Sequence, residues 1–248
     1  MSRLHSMSER FGRVHAYLLE DGEELTLIDA LGKADARTIL AEMQRLKLSP
    51  QQLKHIILTH GHITHVKGAA ALQRLSGARV YVGAPEKAII EGRAPSGMTT
   101  WIPQLPWQVL PQQYLLNLSH VLWMRGIKLG ALVPPPVKVD QVLRGDGEKI
   151  GPVRVFHTPG HSPGCFSFYW PEEEALLVGD AVVTWPKLEL GWKGLTEDYA
   201  QNVASVRRLV ARGESEGWRV RTIATGHGEP LQCADGIAEL KRLVIVHE

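Results

Sequence analysis

Three histidines within six residues carry the clearest chemical signal in this sequence. His60, His62 and His65 directly follow the apolar run at residues 55–58. An apolar run that breaks at a turn containing threonine and glycine is typical of a buried strand ending in a loop. Imidazole is the commonest metal ligand in proteins, and three such side chains are costly to bury without partners. The spacing His-x-His-x-x-His therefore predicts a metal site in this loop.

Three further segments end in the same way, with an apolar strand-like run, a glycine-containing turn and then a histidine or aspartate. They supply His161, Asp180 and His227. A rigid scaffold positions the loops at strand ends, so these side chains can converge if the sheets bring them together. Five histidines and one carboxylate suffice for one zinc with an open position, or for two metals sharing the carboxylate. The remaining histidines are predicted to be non-ligands: His5, His15, His55, His120, His157 and His247.

These motifs, in this order, resemble those of the metallo-β-lactamase superfamily. The resemblance also includes an opening hairpin at residues 17–29, and it extends over about residues 14–228 apart from an insertion. It implies an α/β fold, a four-layer αββα sandwich, with the metals at one edge between two sheets. It further implies that the first metal is held by His60, His62 and His161, that the second is held by His65 and His227, and that Asp180 bridges both and assists the nucleophile.

Thr64 is the point at which the chain departs from the family pattern. The family usually has an aspartate at this position, and that aspartate is a ligand of the second metal. Threonine is a weak neutral ligand and supplies no carboxylate charge. We therefore expect one firmly bound Zn²⁺ at the first site and a second that is weak or absent, with iron or manganese as alternative metals. Thr64 is retained as a candidate catalytic residue that hydrogen-bonds the nucleophilic water.

Strands and helices that could position these residues alternate along the chain. Short apolar runs and helical spacings of apolar residues, with turn signals between them, define two series of elements. Strands are predicted at residues 14–19, 25–29, 55–58, 79–82, 141–143, 153–157, 165–170, 175–178 and 221–224. Helices are predicted at residues 34–46, 66–75, 85–91, 197–212 and 235–246, the last with Asp235 as its N-cap. The two halves predict two sheet-plus-helix layers packed face to face.

A Pro- and Trp-rich segment at about residues 92–136 interrupts this pattern. We interpret residues 1–248 as a single domain in which this segment, helical at residues 112–125, is an insertion. Trp101, Trp107 and Trp123 are candidate substrate-binding residues, since tryptophans and leucines suit an apolar pocket wall. A purely structural packing role and a homodimer interface are the two alternatives.

Composition restricts the class of protein. The 248 residues carry a formal net charge of +2, which gives no indication of a nucleic-acid partner. The two cysteines are far apart, and the N-terminal residues lack an apolar signal sequence, so a cytoplasmic location is expected. The apolar stretch at residues 115–133 contains charged and polar residues and is not predicted to span a membrane.

The predicted function is metal-dependent hydrolysis of a small, apolar substrate. A bound metal lowers the pKa of a water molecule, and the resulting hydroxide attacks an ester, thioester, lactone or amide carbonyl. The metal also stabilises the oxyanion that forms. Two alternatives remain: a degenerate relative that binds metal or a ligand with little turnover, and an oxidoreductase with a single iron.

Overall fold

Two six-stranded sheets form the centre of the molecule, a computed structural model that describes residues 2–9, 13–94 and 134–246. The first sheet has the strand order β1-β2-β3-β4-β5-β6. Its first three strands are antiparallel, and β3 to β6 run parallel. These strands are β1 (Ser2–Glu9), β2 (Val14–Asp21), β3 (Glu24–Ile28), β4 (Leu53–Ile57), β5 (Arg79–Gly83) and β6 (Gln141–Leu143).

The second sheet is built from the C-terminal half of the chain. The strands of this half are β7 (Lys149–Ile150), β8 (Val153–His157), β9 (Phe166–Trp170), β10 (Ala175–Gly179), β11 (Val182–Val183), β12 (Glu189–Leu190), β13 (Thr222–Thr225) and β14 (Leu231–Gln232). The sheet order is β14-β13-β10-β9-β8-β7, and β11 pairs with β12 in a separate hairpin. Only β10 and β13 are parallel in this sheet, so their carboxyl ends lie side by side.

Helices cover the outer face of each sheet. They are α1 (Arg37–Arg45), α2 (Ile63–Val66), α3 (Ala69–Ser76), α4 (Lys87–Ile90), α5 (Tyr199–Glu216) and α6 (Gly236–Ile245). Asp198 begins α5 by accepting a hydrogen bond from the Gln201 backbone N–H at 2.9 Å. Asp235 caps α6 in the same way, accepting from Ala238 N–H at 3.0 Å, as predicted.

Three apolar cores separate four layers. The first lies between α1, α3 and the first sheet, the second between the two sheets, and the third between the second sheet and α5 with α6. Alternation along the strands produces this division: in β10, Leu177 faces the first sheet while Leu176 and Val178 face the helices. The predicted four-layer αββα sandwich is therefore confirmed.

The structure differs from the sequence prediction in several elements. Strand β1 was not predicted, because Met7 is its only side chain in the apolar core and no alternating pattern marks it. The helix predicted at residues 66–75 begins only at Ala69, because Lys67 and Gly68 donate to the carbonyls of Leu31 and Ala30 and separate it from the short helix α2. The hairpin of β11 and β12 was also missed, as its strands are only two residues long.

The remaining global features concern the cysteines, the membrane and the insertion. Cys165 and Cys233 are both free thiols.

In the part of the chain that the structure describes, no helix combines the length and apolarity needed to cross a bilayer. Most of the predicted insertion, including its helix and its three tryptophans, lies outside the described residues. The single-domain interpretation and the insertion therefore stay predictions.

Candidate metal centre

The two sheets meet at one edge, where loops from both converge. The carboxyl ends of β3 and β4 in the first sheet and of β10 and β13 in the second all lie there. Hydrogen bonds join the sheets at this edge. The Tyr17 hydroxyl donates to the Thr225 carbonyl at 2.7 Å, and Phe166 N–H donates to the Thr59 carbonyl at 3.1 Å. The strand ends therefore hold the predicted site loops against one another.

A first group of four side chains contains His60, His62, His161 and Asp180, whose potential ligand atoms all lie within 4.8 Å of one another. His62 Nδ1 and His161 Nε2 are 2.9 Å apart. Asp180 Oδ2 is 3.7 Å from His60 Nε2 and 3.5 Å from His161 Nε2. Ligands of a tetrahedral zinc, with bonds of about 2.0–2.1 Å, lie about 3.3 Å apart. The spacing of these donors therefore fits one metal ion.

A second group contains His65, His227 and the same Asp180. Asp180 Oδ2 lies 3.6 Å from His65 Nε2 and 3.2 Å from His227 Nε2. The two imidazole Nε2 atoms are 3.4 Å apart. Thr64 is buried in α2, immediately before His65, and supplies no carboxylate. The second group therefore has three donors, one of them shared with the first.

Several polar atoms at the centre are buried without a hydrogen-bond partner. They include His60 Nε2 and Asp180 Oδ1. Buried polar atoms in folded proteins almost always have a partner, and each exception requires an explanation. A cation between His60 Nε2 and Asp180 Oδ2, which lie 3.7 Å apart, accounts for the unpaired imidazole nitrogen. The donor set of imidazoles and one carboxylate is also the set that Zn²⁺ binds. The residues present therefore fit a divalent metal.

Burial and charge set the protonation of these groups. Burial, together with the neighbouring histidines, lowers the pKa values of His60 and His62 well below normal, and burial lowers that of His161 to about 4. Burial opposes ionisation of Asp180, but His227 and His65 outweigh it and hold the carboxyl pKa well below its usual range. Neutral imidazoles and an ionised carboxylate are the forms that bind a metal.

Asp29, at the end of β3, is a functional candidate that the sequence interpretation did not assign. Its buried carboxylate accepts the Thr59 N–H at 2.8 Å and the Thr59 hydroxyl at 2.9 Å. It also accepts His65 Nδ1–H at 3.1 Å. This bond keeps the proton on Nδ1 and directs Nε2 of His65 towards Asp180, an arrangement common around metal-bound histidines. The available signal was an apolar run followed by aspartate, as at Asp180.

His227 is held from both sides. Its Nδ1–H donates to the Arg13 carbonyl at 2.8 Å, which leaves Nε2 facing Asp180. The Trp192 ring lies 4.9 Å from the His227 ring, and the Trp185 ring lies 5.8 Å from that of Trp192. Trp185 lies in the turn between β11 and β12, and Trp192 lies just after β12. The two rings border the second group with an apolar surface.

The structure brings together all six predicted metal-ligand candidates, in the two groups described. Trp101, Trp107 and Trp123 lie outside the described residues, as do His120 and His247. The other predicted non-ligands have partners elsewhere: His5 with Glu20, His15 with Ser6, His55 with Tyr81, and His157 with the Pro163 carbonyl.

Comparison with known proteins identifies one superfamily of related proteins. Residues 10–216 match the profile of the metallo-beta-lactamase superfamily. The uncharacterized protein YobT of Bacillus subtilis strain 168 is 31% identical over 169 residues, which are 68% of this chain and 61% of YobT. YflN of the same strain, a probable metallo-hydrolase, is 26% identical over 73% of this chain and 64% of its own length. The chain thus spans less than two thirds of the length of these two relatives.

One more distant relative and two solved structures extend the comparison. GloC of Haemophilus influenzae, a hydroxyacylglutathione hydrolase, is 22% identical over 76% of this chain and 74% of its own. The B3 metallo-beta-lactamase BLEG-1 superposes with a TM-score of 0.64 at 23% identity, covering 93% of this chain and 94% of its own. TTHA1623, crystallised in a di-iron-bound form, superposes with a TM-score of 0.62 at 23% identity, covering 96% of this chain and 98% of its own. Both structures share the fold.

Proposed function

The chain belongs to the metallo-beta-lactamase superfamily, and we propose that it is a metal-dependent hydrolase acting on an ester, thioester, lactone or amide bond. One observation carries the proposal: three imidazoles and a carboxylate from both sheets converge on one point, with buried donor atoms that have no protein partner. Structural packing alone gives no reason to leave such atoms unpaired. Hydrolysis is the chemistry that this donor set supports best.

Zn²⁺ is the proposed metal at the first group, held by His60, His62, His161 and Asp180. A bound zinc would polarise the substrate carbonyl and supply a deprotonated water near neutral pH. The second group would bind more weakly, because Thr64 leaves it with three donors. The shared carboxylate of Asp180 would orient the nucleophile or accept its proton.

An apolar surface beside the site supports an apolar substrate. Trp192 is buried against the His227 ring, and Val183, Trp185 and Leu195 pack with it. Such a wall would hold the acyl or leaving group of the substrate near the second group. Apolar walls with a few convergent polar groups are the usual form of small-molecule sites. The three tryptophans of the insertion remain further candidates for the same surface.

This geometry and the relatives support the proposed substrate class. GloC is a hydroxyacylglutathione hydrolase, which places thioesters beside esters and lactones among the candidates. We propose that the substrate is a small molecule met in the cytoplasm and that no nucleic acid is involved, since the net charge is only +2. Dimerisation through the insertion is retained as part of the proposal.

A panel of p-nitrophenyl esters, lactones and thioesters tests the function. We expect turnover that is lost after chelation, restored by zinc and lowered by at least about 100-fold in His60→Ala, since one ligand is missing. His55→Ala is the matched control, because His55 contacts Tyr81 and lies outside both groups. Activity that survives His60→Ala would refute the metal mechanism.

Two other outcomes separate the alternatives. Firm metal binding without hydrolysis of any substrate in the panel would favour a degenerate binding protein. Iron in the purified protein, together with oxygen-dependent turnover, would favour an oxidoreductase. Elemental analysis of the purified protein and an oxygen electrode distinguish these two results.

A further inference from the structure

One buried carboxylate outside the metal groups contacts the loops that carry their histidines. Glu86 ends the short helical turn Ala84–Glu86, and its side chain is only 3% exposed. Acidic side chains are almost never buried to this extent unless they are paired. No cation is paired with Glu86 among the described residues, and its partners are hydrogen-bond donors instead. The identity of these donors indicates what the residue does.

The first oxygen of Glu86 binds the loop of the second sheet. Oε1 accepts the Ser162 hydroxyl at 2.6 Å and the Gly164 N–H at 3.1 Å. Ser162 directly follows the candidate ligand His161, so this oxygen holds the backbone that carries His161.

The second oxygen lies against the loop of the first sheet. Gly61, between His60 and His62, donates its N–H to the Glu86 carboxylate. The approach is so close that a Cβ at Gly61 would lie 2.5 Å from Glu86 Oε2. The same holds at Gly164, where a Cβ would lie 2.5 Å from Glu86 Cγ. Glycine at these two positions gives the carboxylate access to both loops.

We propose that Glu86 is a positioning residue that sets the spacing of the two histidine loops, and thereby the affinity of the first group for its metal. One carboxylate spans the gap between the sheets, with one oxygen for each loop. The pair that it fixes is His62 and His161, whose Nδ1 and Nε2 atoms lie 2.9 Å apart. The inference rests on the proposed metal site, and it assigns a determinant of affinity that is not itself a ligand.

Glu86→Gln tests this role with little change in size. If the amide oxygen replaces Oε1 and keeps Ser162 and Gly164, the amide NH₂ then faces the Gly61 N–H, donor against donor. If the amide is reversed, the Gly164 N–H faces the NH₂ group and loses its acceptor instead, although the Ser162 hydroxyl can turn to accept from that group. Either way one loop loses its partner. We expect zinc affinity at the first group to fall about 10- to 100-fold, the usual effect of removing such a supporting contact.

The measurements are zinc affinity by competition with a chromophoric chelator and the visible spectrum of the Co²⁺-substituted protein. Asp140→Asn is the matched control, because Asp140 also accepts a backbone N–H, that of Val80 at 3.0 Å, but outside the site. Urea denaturation of the metal-free proteins records stability separately. We expect both variants to lose stability, and Glu86→Gln alone to lose affinity and alter the cobalt spectrum.

A Glu86→Gln variant that folds and keeps the wild-type zinc affinity and cobalt spectrum would overturn the inference. The proposed metal site would remain supported in that case. Ser162→Ala provides a second test if Glu86→Gln does not fold. It removes one donor to Oε1, so affinity should fall several-fold, and unchanged affinity would again overturn the inference. A wild-type protein that binds neither zinc nor cobalt would refute the proposed function itself, and the inference with it.

Discussion

Replacing Asp29 with asparagine isolates the carboxylate that orients His65. In the wild type, Asp29 Oδ1 accepts the Thr59 N–H, while Oδ2 accepts His65 Nδ1–H at 3.1 Å. The Thr59 hydroxyl lies 2.9 Å from Oδ2 and 3.1 Å from Oδ1, so Oδ1 can serve it alone. An asparagine whose amide oxygen takes the place of Oδ1 keeps the first bond. Its NH₂ then faces Nδ1 of His65 and forces the proton onto Nε2, the atom that faces Asp180. The variant therefore blocks one donor of the second group while leaving the fold around Thr59 in place.

The expected loss of metal affinity follows from the hydrogen bond between Asp29 and His65, which the variant removes. A hydrogen bond to a charged group contributes about 1.5–3 kcal/mol. Since about 1.4 kcal/mol corresponds to a factor of ten, the affinity of the second group should fall about 10- to 100-fold. The first group should change little, because Thr59 keeps its contact of 2.8 Å with His60 Nδ1.

Cobalt titration, followed by absorbance and calorimetry up to saturating metal, resolves the two equivalents. Asp140→Asn again serves as the control for the loss of a carboxylate outside the site. The reasoning would be refuted if Asp29→Asn folded normally and bound the second equivalent as tightly as the wild type. A loss confined to the first equivalent would also contradict it.

Three further predictions concern the second group, pH and the substrate surface. Thr64→Asp should raise the affinity for the second metal by about tenfold or more by adding a carboxylate ligand, and it should destabilise the metal-free protein because it places a charge at a buried position of α2. Calorimetry measures the affinity and urea denaturation the stability; unchanged affinity would mean that another group already completes the site. The pKa of His161 is about 4 in the folded protein and about 6.5 in the unfolded chain, so the unfolded chain binds more protons between pH 5 and pH 7. Through His161 alone, the metal-free protein should therefore be about 2 kcal/mol less stable at pH 5 than at pH 7. A urea midpoint that does not shift, or that shifts equally in His161→Asn, would contradict this. Trp192→Leu should raise KM for esters with apolar acyl groups by about tenfold, because the substrate loses apolar burial, and it should change kcat less. Equal effects on polar and apolar esters would exclude an apolar contact between Trp192 and the substrate.

The sequence predicted the layers and the ligand candidates because both leave local patterns. Short apolar runs bounded by turns identify strands such as β10, and a histidine or aspartate just after the strand marks the site edge. The supporting residues leave no such pattern. Glu86 lies in a short helical turn, and its role depends on loops from both sheets that meet only in the fold. Trp192 lies after two-residue strands that are too short to produce a periodic signal.

Asp29 falls between these cases. It follows an apolar strand as Asp180 does, so its position at the site edge could have been read from the sequence. Its function could not, because the contact with His65 depends on β3 and β4 lying side by side. The same limit applies to the distances of 3.2–3.7 Å around Asp180 Oδ2, which result from the packing of two sheets.

The central claim is that the first group is an intact metal site and that the second lacks a ligand. Anomalous scattering from crystals of protein purified without added metal, with data at the zinc and iron edges, tests it most directly. We predict one strong peak, at the zinc edge, among His60, His62, His161 and Asp180, and little or none between His65 and His227. Two peaks of equal height, or none within the first group, would contradict the account.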